Sequence, residues 1–114
     1  MNLECTTHPF GLLIAVGESR IDAAVAIQFK DRMRDLTGGT AGRILLDLSR
    51  VDFVDSSGLG AIVAALKQLD ADQKLELAGL TPNVAKVFRL TRMDKVFPIH
   101  ASVAEAAGPH ANAS

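Results

Sequence analysis

Six consecutive residues, Asp55-Ser56-Ser57-Gly58-Leu59-Gly60, hold the densest set of groups in this chain that could do chemistry. They follow the apolar step Val51 to Val54 and open a run with helical spacing, so two hydroxyls and a carboxylate stand at a strand-to-helix turn. The backbone N–H groups of such a turn have no intrahelical partner and are free to bind a capping oxygen or an anion. Three uses of the serines follow. Either hydroxyl can cap the helix, a contribution of about 1 kcal/mol. A nucleophilic serine would need a base and an oxyanion hole; the local pattern is not Gly-x-Ser-x-Gly, and no histidine has a context that suggests a triad. A phosphorylated serine would gain about −1.5 to −2 charges at pH 7. First-turn N–H groups would partly accommodate that charge and Asp55 would oppose it, changing the surface field without unfolding the domain.

Other chemistries find little support. No Gly-x-x-x-x-Gly-Lys-Ser/Thr sequence occurs, and Gly58 and Gly60 are too few to argue for a nucleotide site. Cys5 is the only cysteine, which excludes an internal disulfide and a thiolate metal cluster. His8, His100 and His110 share no metal-binding spacing and read as two loop residues and one tail residue, so no metal or other cofactor is implied. Twelve basic against thirteen acidic residues leave a net charge of −1, and Trp and Tyr are absent. That argues against a nucleic-acid binder. No apolar run approaches the ~18 residues of a membrane span, and Met-Asn-Leu-Glu-Cys is not a signal sequence. The expectation is a cytoplasmic, soluble protein with no membrane contact.

The surrounding elements must position the turn. Apolar residues make up 48% of the 114 and charged residues 22%, enough for one globular core. Leu3 to Thr7 alternates weakly, His8-Pro9 reads as a turn, and Phe10 to Val16 suits a strand buried on both faces. Gly17-Glu18-Ser19-Arg20 reads as a loop. From Asp22, a plausible cap, Val25, Phe29, Met33 and Leu36 recur at helical spacing until Thr37-Gly38-Gly39-Thr40. Ile44 to Leu48 is a second buried strand, and the helix after the turn runs from about Ser57 to Leu69. Lys74 to Ala78 alternates as a strand. Thr81-Pro82 opens a third helix with Val84, Val87 and Phe88 as its stripe. Val96 to Ile99 reads as a last strand, and Ser102-Val103-Ala104-Glu105 as a capping box. The order β-β-α-β-α-β-α-β-α implies an α/β domain over 1–107, with a mixed, mostly parallel sheet of about five strands and about four helices. Residues 108–114 read as a frayed tail.

The helix after the turn is divided by side-chain size. Leu59, Ile62, Val63, Leu66 and Leu69 form the expected inner face, and Gly60, Ala61, Ala64 and Ala65 the other. Small residues let a partner's backbone approach closely with little side-chain entropy to lose. Alanine also favours helix, and such a face can equally pack against a neighbouring element.

Ile44-Leu45-Leu46-Asp47-Leu48, followed by Val51-Asp52-Phe53-Val54-Asp55-Ser56-Ser57-Gly58-Leu59-Gly60, resembles the signature of STAS domains, specifically the bacterial anti-sigma-factor antagonists. The element order over about residues 3 to 107 agrees with that family. The resemblance implies a non-enzymatic protein that binds a kinase-type anti-sigma factor and so releases a sigma factor. It implies phosphorylation by that kinase on Ser56, loss of binding, and restoration by a serine phosphatase. Asp22, Asp55, Ser57, Gly58, Leu59, Gly60, Ala61 and Ala64 are the implied partner-binding residues. The alternative is a STAS scaffold or regulatory subunit of another signalling or transporter assembly, in which Ser56 only caps. One departure stands out: Ser19-Arg20 lengthens the loop between Gly17-Glu18 and Ile21-Asp22, near the expected phosphorylation site.

Overall fold

The computed structural model describes residues 1–108; the expected tail, apart from Gly108, and His110 lie outside them. The chain forms β1 (Leu3–His8), β2 (Gly11–Val16), β3 (Arg20–Ile21), α1 (Ala26–Thr37), β4 (Gly42–Asp47), β5 (Phe53–Val54) and α2 (Ser56–Lys67). It continues as β6 (Gln73–Ala78), α3 (Pro82–Leu90), a 3-10 turn (Met93–Lys95), β7 (Ile99–His100) and α4 (Val103–Ala107). Five strands make one sheet in the order β1-β2-β4-β6-β7. Only β1 runs antiparallel to its neighbour, because the two-residue turn His8–Gly11 can join a hairpin while every later connection crosses over through a helix. This is the mixed α/β domain read from the sequence, with four helices and five sheet strands.

Strand alternation divides the core. Leu12, Ile14 and Val16 of β2, Ile44 and Leu46 of β4, and Leu75 and Leu77 of β6 join one cluster with Phe29 and Met33 of α1, Ile62 of α2, and Val84 and Phe88 of α3. The intervening Leu45 and Ala78 turn to the opposite face and meet Ala106 of α4, with Phe10 and Leu13. Helices cover both faces, which is why β4 shows Ile44, Leu45 and Leu46 all fully buried.

The structure corrects several local expectations. Arg20 is not loop: with Ile21 it pairs in parallel with Phe53 and Val54 as a separate two-stranded sheet, too short to show an alternating pattern. Asp22 does not cap α1. Its Oδ1 accepts from Ala24 N (3.1 Å) and its carbonyl from Val25 N (3.1 Å), forming a turn before the helix, which starts with no side-chain cap. Thr81 likewise donates its hydroxyl to the Val51 carbonyl (2.8 Å) rather than capping α3. Val96 and Phe97 precede the last strand; Phe97 is buried edge-on to Phe88, with centroids 6.0 Å apart. Ser102 does cap α4, accepting from Glu105 N at 3.0 Å. His8 ends β1 and His100 lies in β7, so neither is a loop residue.

A buried ionic cluster fastens α4 to the sheet. Glu76, 8% exposed, accepts from Arg43 Nε (2.9 Å) and Nη2 (2.7 Å), and its Oε1 shares a 2.7 Å hydrogen bond with His100 Nε2. Arg43 Nη2 also donates to the Ala106 carbonyl (2.8 Å) at the end of α4. Burial pushes the Glu76 carboxyl up, but hydrogen bonds and charge from Arg43 and His100 outweigh it and hold the group below its ordinary 4.5. A carboxylate depressed in the folded state stabilises the fold above its unfolded value and loses that contribution as pH falls through the folded one. Glu76→Gln should therefore lower stability by about 2 kcal/mol at pH 7, leaving Arg43 incompletely paired. Urea titrations should show the difference shrinking as pH falls below 4.5; an equal difference at all pH values would contradict the assignment.

Candidate functional site

The turn is built by β5 and closed by Asp55. Val54, 3% exposed, anchors the end of β5, and Asp55 follows in extended conformation (φ −92°, ψ −175°) as the N-cap of α2. Its Oδ1 accepts from Gly58 N at 2.8 Å, and its Oδ2 from Ala23 N at 3.3 Å. Its carbonyl takes the first helical bond, from Leu59 N at 2.8 Å. The carboxylate thus satisfies orphan donors of two different segments, where negative charge is also favoured by the helix dipole. The cap is Asp55, not a serine. Ser56 and Ser57 are both exposed, and neither hydroxyl makes a hydrogen bond among the described residues.

The two glycines do different work. Gly58 is buried, and a Cβ there would collide with the Ile21 carbonyl oxygen. Its bareness lets the first turn of α2 press onto β3, so its role is inside the fold and not on a partner surface. Gly60 is exposed, and a Cβ there would meet nothing within 4 Å. A glycine inside a helix costs about 1 kcal/mol relative to alanine, and no neighbour in the fold requires one at this position.

The helix faces also differ from expectation. Ala61 and Ala65, 6% and 2% exposed, turn inward with Gly58 and Ile62, and their small size lets α1 lie close against α2. Ala61 therefore belongs mainly to the core, with only its remaining exposed edge lining the groove beside α1. Leu59, Val63 and Leu66 are only half-buried at the margin of the core. What remains outward is Gly60 and Ala64, a low ridge between two shallow grooves. Ala26, Ile27, Lys30 and Ser57 line one with the ridge, and Ser56, Leu59, Val63, Lys67 and Met93 the other. Ile27 and Lys30 were missed from the sequence; the visible signal was an isoleucine out of phase with Phe29 and Met33, now 72% exposed. Asp22 reaches the site indirectly, through the bond of Ala23 to Asp55, and its own Oδ2 pairs with Arg20 Nε at 3.2 Å.

The two glycines give opposite expectations. Gly58→Ala should lower stability by about 2 kcal/mol or more, since a backbone oxygen must move. Gly60→Ala should raise it by up to about 1 kcal/mol. Thermal denaturation of the two variants checks this, and equal shifts would contradict the assigned environments.

With this geometry in view, comparison with known proteins is informative. The family model described as the STAS domain matches residues 5–106. A Bordetella bronchiseptica protein, BtrV, named as a candidate anti-sigma factor antagonist, is 32% identical over 90 residues, covering 78% of each chain. The anti-sigma-B factor antagonist of Staphylococcus aureus is 24% identical over 101 residues, covering 88% of this chain and 93% of its own. A crystal structure from Thermotoga maritima, described as a candidate anti-sigma factor antagonist, superposes with a TM-score of 0.78 at 25% identity, covering 92% of this chain and 91% of its own. No helix among the described residues is long and apolar enough to cross a membrane. With the family match extending over nearly the whole described fold, the chain belongs to the STAS domain family.

Proposed function

We propose that this protein is an anti-sigma-factor antagonist that binds a kinase-type anti-sigma factor and is switched off by phosphorylation of Ser56. The observation that carries the reading is the division of labour at the turn. Asp55 caps α2, which leaves the Ser56 hydroxyl exposed on a fixed backbone with no structural duty. The names of the relatives support the antagonist role. The bare Gly60–Ala64 ridge beside Ser56 supports docking of a protein surface, because close approach there immobilises few rotamers. Asp22, Asp55, Ser57, Leu59, Gly60 and Ala64 complete the contact; Gly58 and Ala61 act from beneath it.

The switch follows from charge. The Ser56 oxygen attacks the γ-phosphorus of ATP, ADP leaves, and the hydroxyl proton passes to a base of the kinase. The product places about −1.5 to −2 charges beside Asp55. The Asp55 carboxylate is already bound to Gly58 N and Ala23 N, so the turn keeps its shape while the docking face becomes strongly negative. A serine phosphatase reverses the step by hydrolysis, returning the hydroxyl and inorganic phosphate.

Incubation with the cognate anti-sigma kinase and ATP, followed by mass spectrometry, should find one phosphate on Ser56 and none on Ser56→Ala. Ser56→Asp should weaken binding at least about tenfold, equivalent to ~1.4 kcal/mol, with an unchanged unfolding midpoint. Full phosphorylation of Ser56→Ala would refute the site, and unchanged affinity of Ser56→Asp would refute the electrostatic switch.

A further inference from the structure

β3, just before Asp22, carries an ordered guanidinium close to the turn in the chain's β3–β5 pairing. Arg20 stands opposite Phe53 in the short β3–β5 pair, and its guanidinium carbon lies 4.1 Å from the centroid of the Phe53 ring. Its Nε is tied to Asp22 Oδ2 at 3.2 Å. An exposed arginine normally samples many rotamers. This one is held on one face by an aromatic ring and on one edge by a carboxylate, yet its side chain remains 58% exposed. Phe53 beneath it is 39% exposed, an aromatic that the core does not absorb. The terminal nitrogens of Arg20 make no hydrogen bond among the described residues.

Two strand bonds hold this platform at the candidate site. Asp52 N and Phe53 N both donate to the Ser19 carbonyl, at 2.8 and 3.3 Å, so the residue before β3 is stitched to the segment that leads into Asp55. Asp22, the anchor of the Nε edge, immediately precedes Ala23, whose N–H binds Asp55. The stack is therefore continuous with the turn, and Phe53 lies three residues before Ser56.

We propose that Arg20, positioned by Phe53 and Asp22, is a specificity-determining residue that receives a carboxylate side chain of the anti-sigma factor on its free Nη1–Nη2 edge. The proposal rests on the antagonist function above and adds the chemistry by which one partner is chosen. A guanidinium fork matches a carboxylate in two parallel bonds, and a single arginine readily bridges two carboxylates through different edges. Pre-ordering by the ring and by Asp22 removes much of the rotamer entropy that docking would otherwise consume, as expected of an arginine that anchors an interface. The ring also shields one face of the guanidinium from water, which strengthens a charge-assisted bond made at its edge.

The test is calorimetry with the purified anti-sigma factor that binds the wild-type chain, using Arg20→Ala, Arg20→Lys and Phe53→Leu. Arg20→Ala is expected to lose at least about tenfold in affinity at low salt. Arg20→Lys should recover only part of that loss, because an ammonium lacks the fork, and Phe53→Leu should fall between the two. Binding of the wild type should weaken with salt more steeply than binding of Arg20→Ala. Affinity of Arg20→Ala equal to or above that of the wild type overturns the proposal, as does full recovery by lysine. Should Arg20→Ala unfold more readily than the wild type, the lysine variant decides, since it keeps the stem and the charge. A wild-type chain that binds no kinase-type anti-sigma factor would instead overturn the function on which the proposal rests.

Discussion

One carboxylate organises the end of the domain that carries the candidate site. Asp55 binds Gly58 N from its own helix and Ala23 N from the segment before α1, and its main-chain N–H donates to Ile21 O at 3.4 Å. Two pieces of chain that are distant in sequence, 21–23 and 55–58, are thereby held against one another beside the buried Ile21 and Val54. The arrangement depends equally on Gly58, since any side chain there would drive α2 away from the Ile21 carbonyl. Remove the close approach and Asp55 no longer reaches both donors. The exposed serines, the Gly60–Ala64 ridge and the Arg20–Phe53 stack all inherit their positions from this clasp.

Two assemblies on opposite faces of the sheet hold the fold. The large apolar cluster beneath α1, α2 and α3 carries most of the burial. The Arg43–Glu76–His100 cluster lies on the opposite face with α4, where it satisfies a buried carboxylate and ties a five-residue helix too short to stand alone. Of the turn residues only Leu59 touches either assembly, at the margin of the apolar cluster. The exposed hydroxyls of Ser56 and Ser57 can therefore be modified chemically while the fold is maintained elsewhere.

Much of this was legible in the residues. The hexapeptide marked the candidate site because its groups are contiguous, and the switch of period at Ser57 identified a strand-to-helix turn. The buried strands were visible as apolar runs, and the Ser102–Glu105 box gave α4. What escaped followed from distance in sequence. The β3–β5 pair has two residues in each strand, so no alternation could reveal it, and Arg20 was read as loop. Which serine or aspartate caps a helix depends on backbone direction, so Asp55 took the place expected of a hydroxyl. The inward turn of Ala61 and Ala65 reflects the proximity of α1, which demands small residues on the buried side; a size rule alone put the larger side chains there instead. Arg43, Glu76 and His100 come from three strands and share no local signal.

The bareness of the Gly60–Ala64 ridge bears on how far an added charge is felt. Long polar side chains around a modified residue would fold over it, lending counter-charge and damping its field. Gly60 and Ala64 have nothing to extend, and Asp55 is already committed to backbone donors. A charge placed at the start of α2 would therefore find no counter-charge on the ridge itself, only from Lys30 and Lys67 in the flanking grooves. A ridge with so few movable parts, flanked by two lysines, makes a small chemical change at its foot audible to whatever rests on it.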